Sequence, residues 1–431
     1  MATTSVVIPS SPRNYIFPLT IIGIFFFIFG FTTWANSQLI PYLKIACELS
    51  TSQSLLVTFA FFAAYFVMAL PSSFILNKVG YKWGMVIGLC VMAAGALLFI
   101  PAGQSRSYPM FLVGLFVIAT GLALLQTASN PYVTVLGPIE SAAQRISIMG
   151  ICNKAAGFIA VMVMGKIILK DVDVLEAKLL TLSPAEKIAE LDALAHKVIN
   201  PYITIAVILI AFAIIISFIN LPEIREPEES ESNLSKTKTS IFQFPHLLLG
   251  AGAIFFYVGA EVISYDTFAG FGKSQGYSTG TAAGFAKYTA YGLLAGYLFN
   301  IICIPRFFSQ RKILVVNTIL SILLVIAAML TSGLIAIICF ALLGFTQAIM
   351  WPAIWPLAIH GLGRFTKTGA AFLIMGIVGG ALIPLLYGKI AESMSIQSAY
   401  WIMIPCYLYV LYYALKGYKV GLLKDDVTVK H

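Results

Sequence analysis

The sequence predicts an all-α membrane protein whose twelve transmembrane helices fall into two six-helix halves. Three observations predict it. The 431-residue chain is 59% hydrophobic and 10% charged, where a soluble domain carries about 25% charge. Its apolar residues gather into twelve long runs, and a membrane-spanning helix needs about 20 such residues. One phrase also occurs twice. Gln126-Thr127-Ala128-Ser129-Asn130-Pro131 closes one run, and Gln347-Ala348-Ile349-Met350-Trp351-Pro352 lies in another, 221 residues later. Each precedes an Ile-Met-Gly that opens the next run, at Ile148-Met149-Gly150 and Ile374-Met375-Gly376. Barrel strands would show short alternating segments instead.

The runs of the first half cover about 16–40, 53–76, 84–103, 109–131, 146–169 and 201–221. Those of the second cover about 246–270, 280–305, 312–331, 333–359, 367–390 and 398–415. Residues 1–14 are short and polar, and the first run continues without a small-residue cleavage site, so no cleavable leader is expected. Between spans five and six, Ser183-Pro184-Ala185-Glu186 reads as a capping box with proline at the first helical position. Ile188, Leu191, Leu194, Ala195 and Val198 then recur at helical spacing. An amphipathic helix outside the membrane is expected there, acting as a cap or spacer without ligand contact. Residues 222–245 are charged and aperiodic, and read as the linker between halves 1–221 and 246–431.

Charge placement gives an orientation. Sixteen Lys and Arg fall on the side that holds both termini, eight on the other, and Lys154, Lys166 and Lys287 within spans. Both termini are therefore expected in the cytoplasm. The net charge of +9 is then a mark of orientation, with no nucleic-acid partner implied. Five of the six cysteines (Cys90, Cys152, Cys303, Cys339, Cys406) lie within apolar runs, and no pair has metal-ligand spacing. Free thiols, no metal and no cofactor are expected. No phosphate-binding loop of the Walker type occurs, which argues against ATP hydrolysis. His196, His246, His360 and His431 lie near span ends or in loops, which argues against an intramembrane enzyme.

Polar residues inside spans are costly and need partners or water. Span one ends Thr32-Thr33-Trp34-Ala35-Asn36-Ser37-Gln38. Span four carries Gln126, Thr127, Ser129 and Asn130; span five carries Asn153 and Lys154. Span seven carries Tyr257, Glu261, Tyr265 and Asp266; span ten carries Gln347, Trp351 and Trp355. Amides donate and accept at once, as sugar hydroxyls require, and tryptophan offers a flat apolar face to a pyranose ring. The candidate ligand set is Trp34, Asn36, Ser37, Gln38, Gln126, Asn130, Asn153, Gln347, Trp351 and Trp355. Thr127, Ser129 and Asn130 have the alternative of holding helices together. Trp34 and Trp401 have that of an interfacial belt, which is favoured for Trp401. Glu261 is either a functional carboxylate or a solvated one, while Asp266 and Lys287 read as solvated ends. Lys154, about nine residues into its span, needs a carboxylate, carbonyls or water. Glu261 and Lys154 are the ion-coupling candidates. A chain repeating such devices in both halves has the architecture of a secondary transporter, with substrate held between them.

Two resemblances sharpen this reading. Leu76 to Lys82, between spans two and three, resembles in degenerate form the loop that marks the major facilitator superfamily. Pro305 to Lys312 holds the equivalent place in the second half. The stretch Gln126 to Pro138 resembles the fourth-helix signature of the fucose–proton symporter family, which includes bacterial glucose/galactose permeases. Ser37 to Pro41, Asn153, Tyr257-Val258-Gly259-Ala260-Glu261 and Ile374 to Gly380 resemble family counterparts too. The Tyr-Val-Gly-Ala-Glu phrase and Trp351 to Pro356 are nearer to the glucose/galactose branch. The resemblance implies a major-facilitator fold and hexose or amino-sugar uptake across a bacterial inner membrane, driven by a proton or sodium ion. A monomeric carrier embedded in lipid is expected. The fucose symporters carry an acid where Ser37 and Gln126 stand here, and neither residue titrates at physiological pH. Their coupling scheme therefore does not transfer residue by residue. Coupling through another acid, coupling to another ion, and uniport all stay open, as does export of another small polar solute.

Overall fold

The computed structural model describes residues 16–49, 53, 56–168, 179, 181–219, 221, 238–277, 281–282 and 284–422. The segment 1–14 and most of the expected linker, 222–237, lie outside the described residues, as does the side chain of Ser37. Every described element is helical. Ten helices are long and apolar enough to cross a membrane. One of them, Leu56–Gln104, carries two expected spans. The eighth expected span is the 18-residue helix Ala286–Cys303, which is not among the ten. All twelve stretches read from the sequence are therefore helical.

In chain order the helices are α1 (Ile16–Ala46), α2 (Leu56–Leu97), α3 (Tyr108–Val135), α4 (Ala142–Ile168), α5 (Pro184–His196), α6 (Ile199–Phe218) and α7 (Pro245–Asp266). They continue with α8 (Ala286–Cys303), α9 (Gln310–Leu330), α10 (Gly333–Gln347), α11 (Met350–Ile359), α12 (Thr366–Met375), α13 (Gly379–Ser393) and α14 (Met403–Leu415). α2 folds back on itself at Gly80, which adopts φ 77° and ψ 176°. That region is open essentially to glycine alone, so the turn between spans two and three depends on it. Spans ten and eleven are each interrupted, at 348–349 and at the 3-10 turn Gly376–Val378.

The amphipathic helix expected before span six is present as α5. The Glu186 carboxylate accepts the Ser183 backbone N–H at 3.0 Å and its hydroxyl at 2.6 Å. Leu191, Leu194, Ala195 and Val198 are buried, but Ile188 is 53% exposed, so the apolar face begins one turn later than expected. α5 is fastened to the spans beneath it. Tyr42 donates to the Leu194 carbonyl, Lys187 pairs with Glu48 at 2.7 Å, and Arg106 pairs with Asp192 at 3.4 Å.

Large apolar side chains such as Phe74, Phe218 and Leu330 stand exposed on the outer faces of the spans. That is the inverse of a water-soluble surface and belongs to a multi-pass membrane protein. Trp401 is among the exposed residues, as its belt reading expects. The interior is closed by aromatic and small side chains from every span.

At one end of the bundle, early and late spans are fastened together. This is the end that holds the Gly80 turn. Ser73 and Thr368 hydroxyls lie 3.2 Å apart. Gln144 Nε2 donates to the Ile301 carbonyl at 2.7 Å, and the Ala143 N–H donates to Gln310 Oε1 at 3.3 Å. Lys367 sits 5.2 Å over the Tyr81 ring. Arg145 orders the turn from α3 to α4 at this end. It donates to the carbonyls of Val133 and Thr134, acceptors that the end of α3 leaves free, and to that of Pro138 in the turn itself.

Candidate functional site

A cavity of about 300 Å³ lies between the early and late spans, at the small end of the usual range for small-molecule sites. It sits beyond the fastened end just described. Its wall is built from helical faces. Phe26, Phe29, Thr33, Asn36 and Ile40 line it from α1, and their spacing of three and four places them on one side of that helix. Tyr257, Glu261 and Tyr265 do the same on α7, and Gly150, Asn153 and Lys154 on α4. Tyr65 enters from α2, Gln126 from α3, Tyr297 from α8 and Trp351 from α11.

Of the ten expected ligand residues, Trp34, Asn36, Gln126, Asn153 and Trp351 line the cavity. Gln126 Nε2 donates to the Tyr65 hydroxyl at 2.9 Å. Asn153 Nδ2 reaches the Phe26 carbonyl at 3.3 Å, and Asn36 Oδ1 accepts from Tyr202 at 3.3 Å. Each of these amides has a hydrogen-bonding partner that orients it beside the open space. Trp34 meets Tyr265 edge to face, with ring centroids 4.9 Å apart.

Four of the ten do not line it, and three of these have a packing reason. Gln347 is fully buried, accepting from Ser264 Oγ at 3.0 Å and donating to Tyr407 at 2.7 Å. Trp355 is fully buried and stacks on Trp351 at 5.4 Å. The proline beside it sits within α11 without turning Trp355 to the cavity. Asn130 is buried one layer back, donating to the Gln126 carbonyl at 2.9 Å and accepting the Trp351 indole N–H at 3.4 Å. Gln38 lies on α1 two positions past Asn36 and off the lining face. Ser129 bonds back to the Leu125 carbonyl at 2.8 Å, the structural role its residue type suggested.

The two ion-coupling candidates meet. Lys154 Nζ on α4 stands 3.3 Å from Glu261 Oε1 on α7, so of the carboxylate, carbonyls or water expected for that lysine, a carboxylate from the other side of the cavity is present. Lys154 also lies 5.7 Å from the Trp34 ring. Glu261 is thus a paired cavity group and not a solvated end. Asp266 is exposed as expected, yet it also lines the cavity. Among the described residues no cluster of His, Cys, Asp or Glu has the form of a metal site.

The sequence reading missed Tyr65, Tyr297 and Thr33 as lining groups. A tyrosine with an apolar ring and one polar tip leaves no periodic signal in an apolar span. Only the rotation of its helix decides whether the hydroxyl faces the cavity.

Comparison with known proteins follows the same lines. A family model described as Major Facilitator Superfamily matches residues 22–384. The glucose/galactose transporter of Brucella abortus biovar 1 (strain 9-941) is 37% identical over 419 residues, covering 95% of this chain and 96% of its own. The L-fucose-proton symporter of Escherichia coli (strain K12) is 30% identical over 413 residues, 93% of each chain. The crystal structure of the transporter FucP in its outward conformation superposes with a TM-score of 0.82 at 29% identity, covering 93% of this chain and 99% of that one.

Proposed function

The chain belongs to the major facilitator superfamily, and on that premise we propose that it is a carrier, not an enzyme, that imports a neutral hexose with a coupled cation. The observation that carries this reading is the lining of the cavity. Amides, tyrosine hydroxyls and a tryptophan face converge there from early and late helices, which suits a polyhydroxylated ring. The names of the similar proteins, two sugar transporters, support the same substrate class.

In this reading Gln126, Asn153 and Asn36 hydrogen-bond the sugar hydroxyls, and Trp351 offers its ring face. Asn130, Gln347 and Trp355 hold those groups in place from behind. The halves 1–221 and 246–431, joined by 222–245, rock about the sugar. Both termini lie in the cytoplasm of a bacterium, and the monomer sits in the inner membrane. The fastened end is then cytoplasmic, and the cavity belongs to an outward-facing state.

The test is uptake of labelled glucose and galactose into vesicles, with and without imposed proton and sodium gradients. Accumulation above equilibrium under one gradient is the expected result. Equilibration that neither gradient can drive uphill would make the protein a uniporter. No saturable entry of any hexose would sink the reading.

A further inference from the structure

Lys154 and Glu261 form a loose ion pair on the cavity wall. Its single N–O distance is 3.3 Å, where a close charge-assisted bond measures about 2.7–2.9 Å. Elsewhere in the molecule Lys187–Glu48 closes to 2.7 Å and Arg106–Asp192 stands at 3.4 Å. Both side chains keep part of their surface open to the cavity, 20% for Lys154 and 16% for Glu261, so a ligand can reach them. The ammonium has a second resting place nearby in the Trp34 ring face, 5.7 Å away.

The charges around the pair are unbalanced. The charged groups on the cavity wall are Lys154, Glu261 and Asp266, two carboxylates against one ammonium. Facing Glu261 are Lys154 from α4, Tyr297 from α8 and Tyr407 from α14, with Tyr257, Tyr265 and Asp266 on its own helix. Lys154 is the one cation in that set. If it turns away, Glu261 loses its counter-charge while walled by apolar and aromatic groups. Keeping that charge without a partner is costly.

We propose that Lys154 and Glu261 are an exchangeable ion pair: the incoming hexose takes Lys154 as a donor to its oxygens, and Glu261, left without its cation, takes up one proton from the outer solution. The inference rests on the hexose-import reading and names the group that couples it. An O–H bond forms on Glu261, the lysine stays an ammonium, and the charge of the site rises by one. When the cavity opens on the other side and the sugar leaves, Lys154 returns to Glu261 and the proton departs inward. Linkage makes the effect reciprocal, so protons strengthen hexose binding by the same factor that hexose strengthens proton binding.

Proton uptake on sugar binding tests this directly. The full chain is purified in weakly buffered detergent near neutral pH with an indicator dye, and glucose or galactose is added while calorimetry counts bound sugar. Wild type is expected to take up about one proton per hexose bound. Glu261→Gln takes up none per hexose bound, whatever its affinity. Lys154→Met, whose Glu261 has no cation to lose, also takes up none, and it serves if Glu261→Gln fails to fold. Uptake that persists in Glu261→Gln assigns the proton elsewhere, Asp266 first, and overturns the proposal. So does hexose binding that needs sodium and moves no proton. A wild type that binds hexose without proton uptake overturns this proposal alone; one that binds no hexose overturns the import reading as well.

Discussion

Gln126 and Gln347 hold the same place in the two repeated phrases, yet one borders the cavity and the other is sealed in the core. Each gives its Nε2 to a tyrosine hydroxyl, Tyr65 at 2.9 Å and Tyr407 at 2.7 Å. Gln347 has Ser264 as well, at 3.0 Å. Four residues on, Asn130 and Trp351 meet one another across the interface at 3.4 Å. The glycines that follow also differ. A Cβ on Gly150 would press on the ring of Tyr297, while one on Gly376 would press on the carbonyl of Ala251. A repeat preserves a position on a helix. The neighbours decide whether that position binds or packs.

The glycines are expected to give the largest effect. At Gly376→Ala the new carbon would lie 2.7 Å from a backbone oxygen, which cannot swing aside. Overpacking of this kind costs about 1–3 kcal/mol or more, so yield and thermal midpoint should both fall. Gly150→Ala meets the Tyr297 side chain at 2.6 Å, and that ring has the cavity to move into. Its thermal midpoint should hold while hexose binding weakens. Equal melting of the two variants would erase the contrast.

The glutamines come next. Gln347→Ala takes the amide from the buried Tyr407 hydroxyl, while Ser264 keeps the Glu261 carbonyl at 2.8 Å, and an unsatisfied buried group costs about 1–3 kcal/mol. A lowered thermal midpoint is expected, with hexose affinity close to wild type. Gln126→Ala should do the opposite. Losing one hydrogen bond to the sugar weakens binding by roughly ten- to hundredfold, and the midpoint should barely move. Unchanged affinity in a folded Gln126→Ala protein would return that residue to a packing role and make the two phrases alike.

The smallest effect is optical. Trp351 lines the cavity and Trp355 stacks behind it. Hexose should shift a fluorescence signal that Trp351→Phe largely removes and Trp355→Phe only dims. The same sugar response in both variants would show that neither indole senses the ligand.

Much of this was legible before any coordinates. Apolar runs predicted the helical stretches, because run length alone decides whether a segment spans a bilayer. The capping box at Ser183 predicted the start of α5, since capping is local chemistry. Lys154 called for a carboxylate, carbonyls or water from the cost of a bare cation in a membrane, and the structure places Glu261 beside it. What stayed hidden depends on how each helix is rotated and on how far along it each residue sits. One turn separates Trp351 from Trp355, and two positions separate Asn36 from Gln38, yet in each pair only the first lines the cavity. Tyr65 and Tyr297 were passed over for the same reason.

α5 holds α1 through Tyr42 and the turn after it through Glu48. It grips the turn before α3 through Arg106 and runs on toward α6. The outer ends of these spans thus share one bracket of thirteen residues. A bracket transmits load: none of those ends can tilt while the others stay still. Closing over a bound molecule then becomes the swing of a whole rim, and the force that a small ligand applies at one wall is felt along the entire edge.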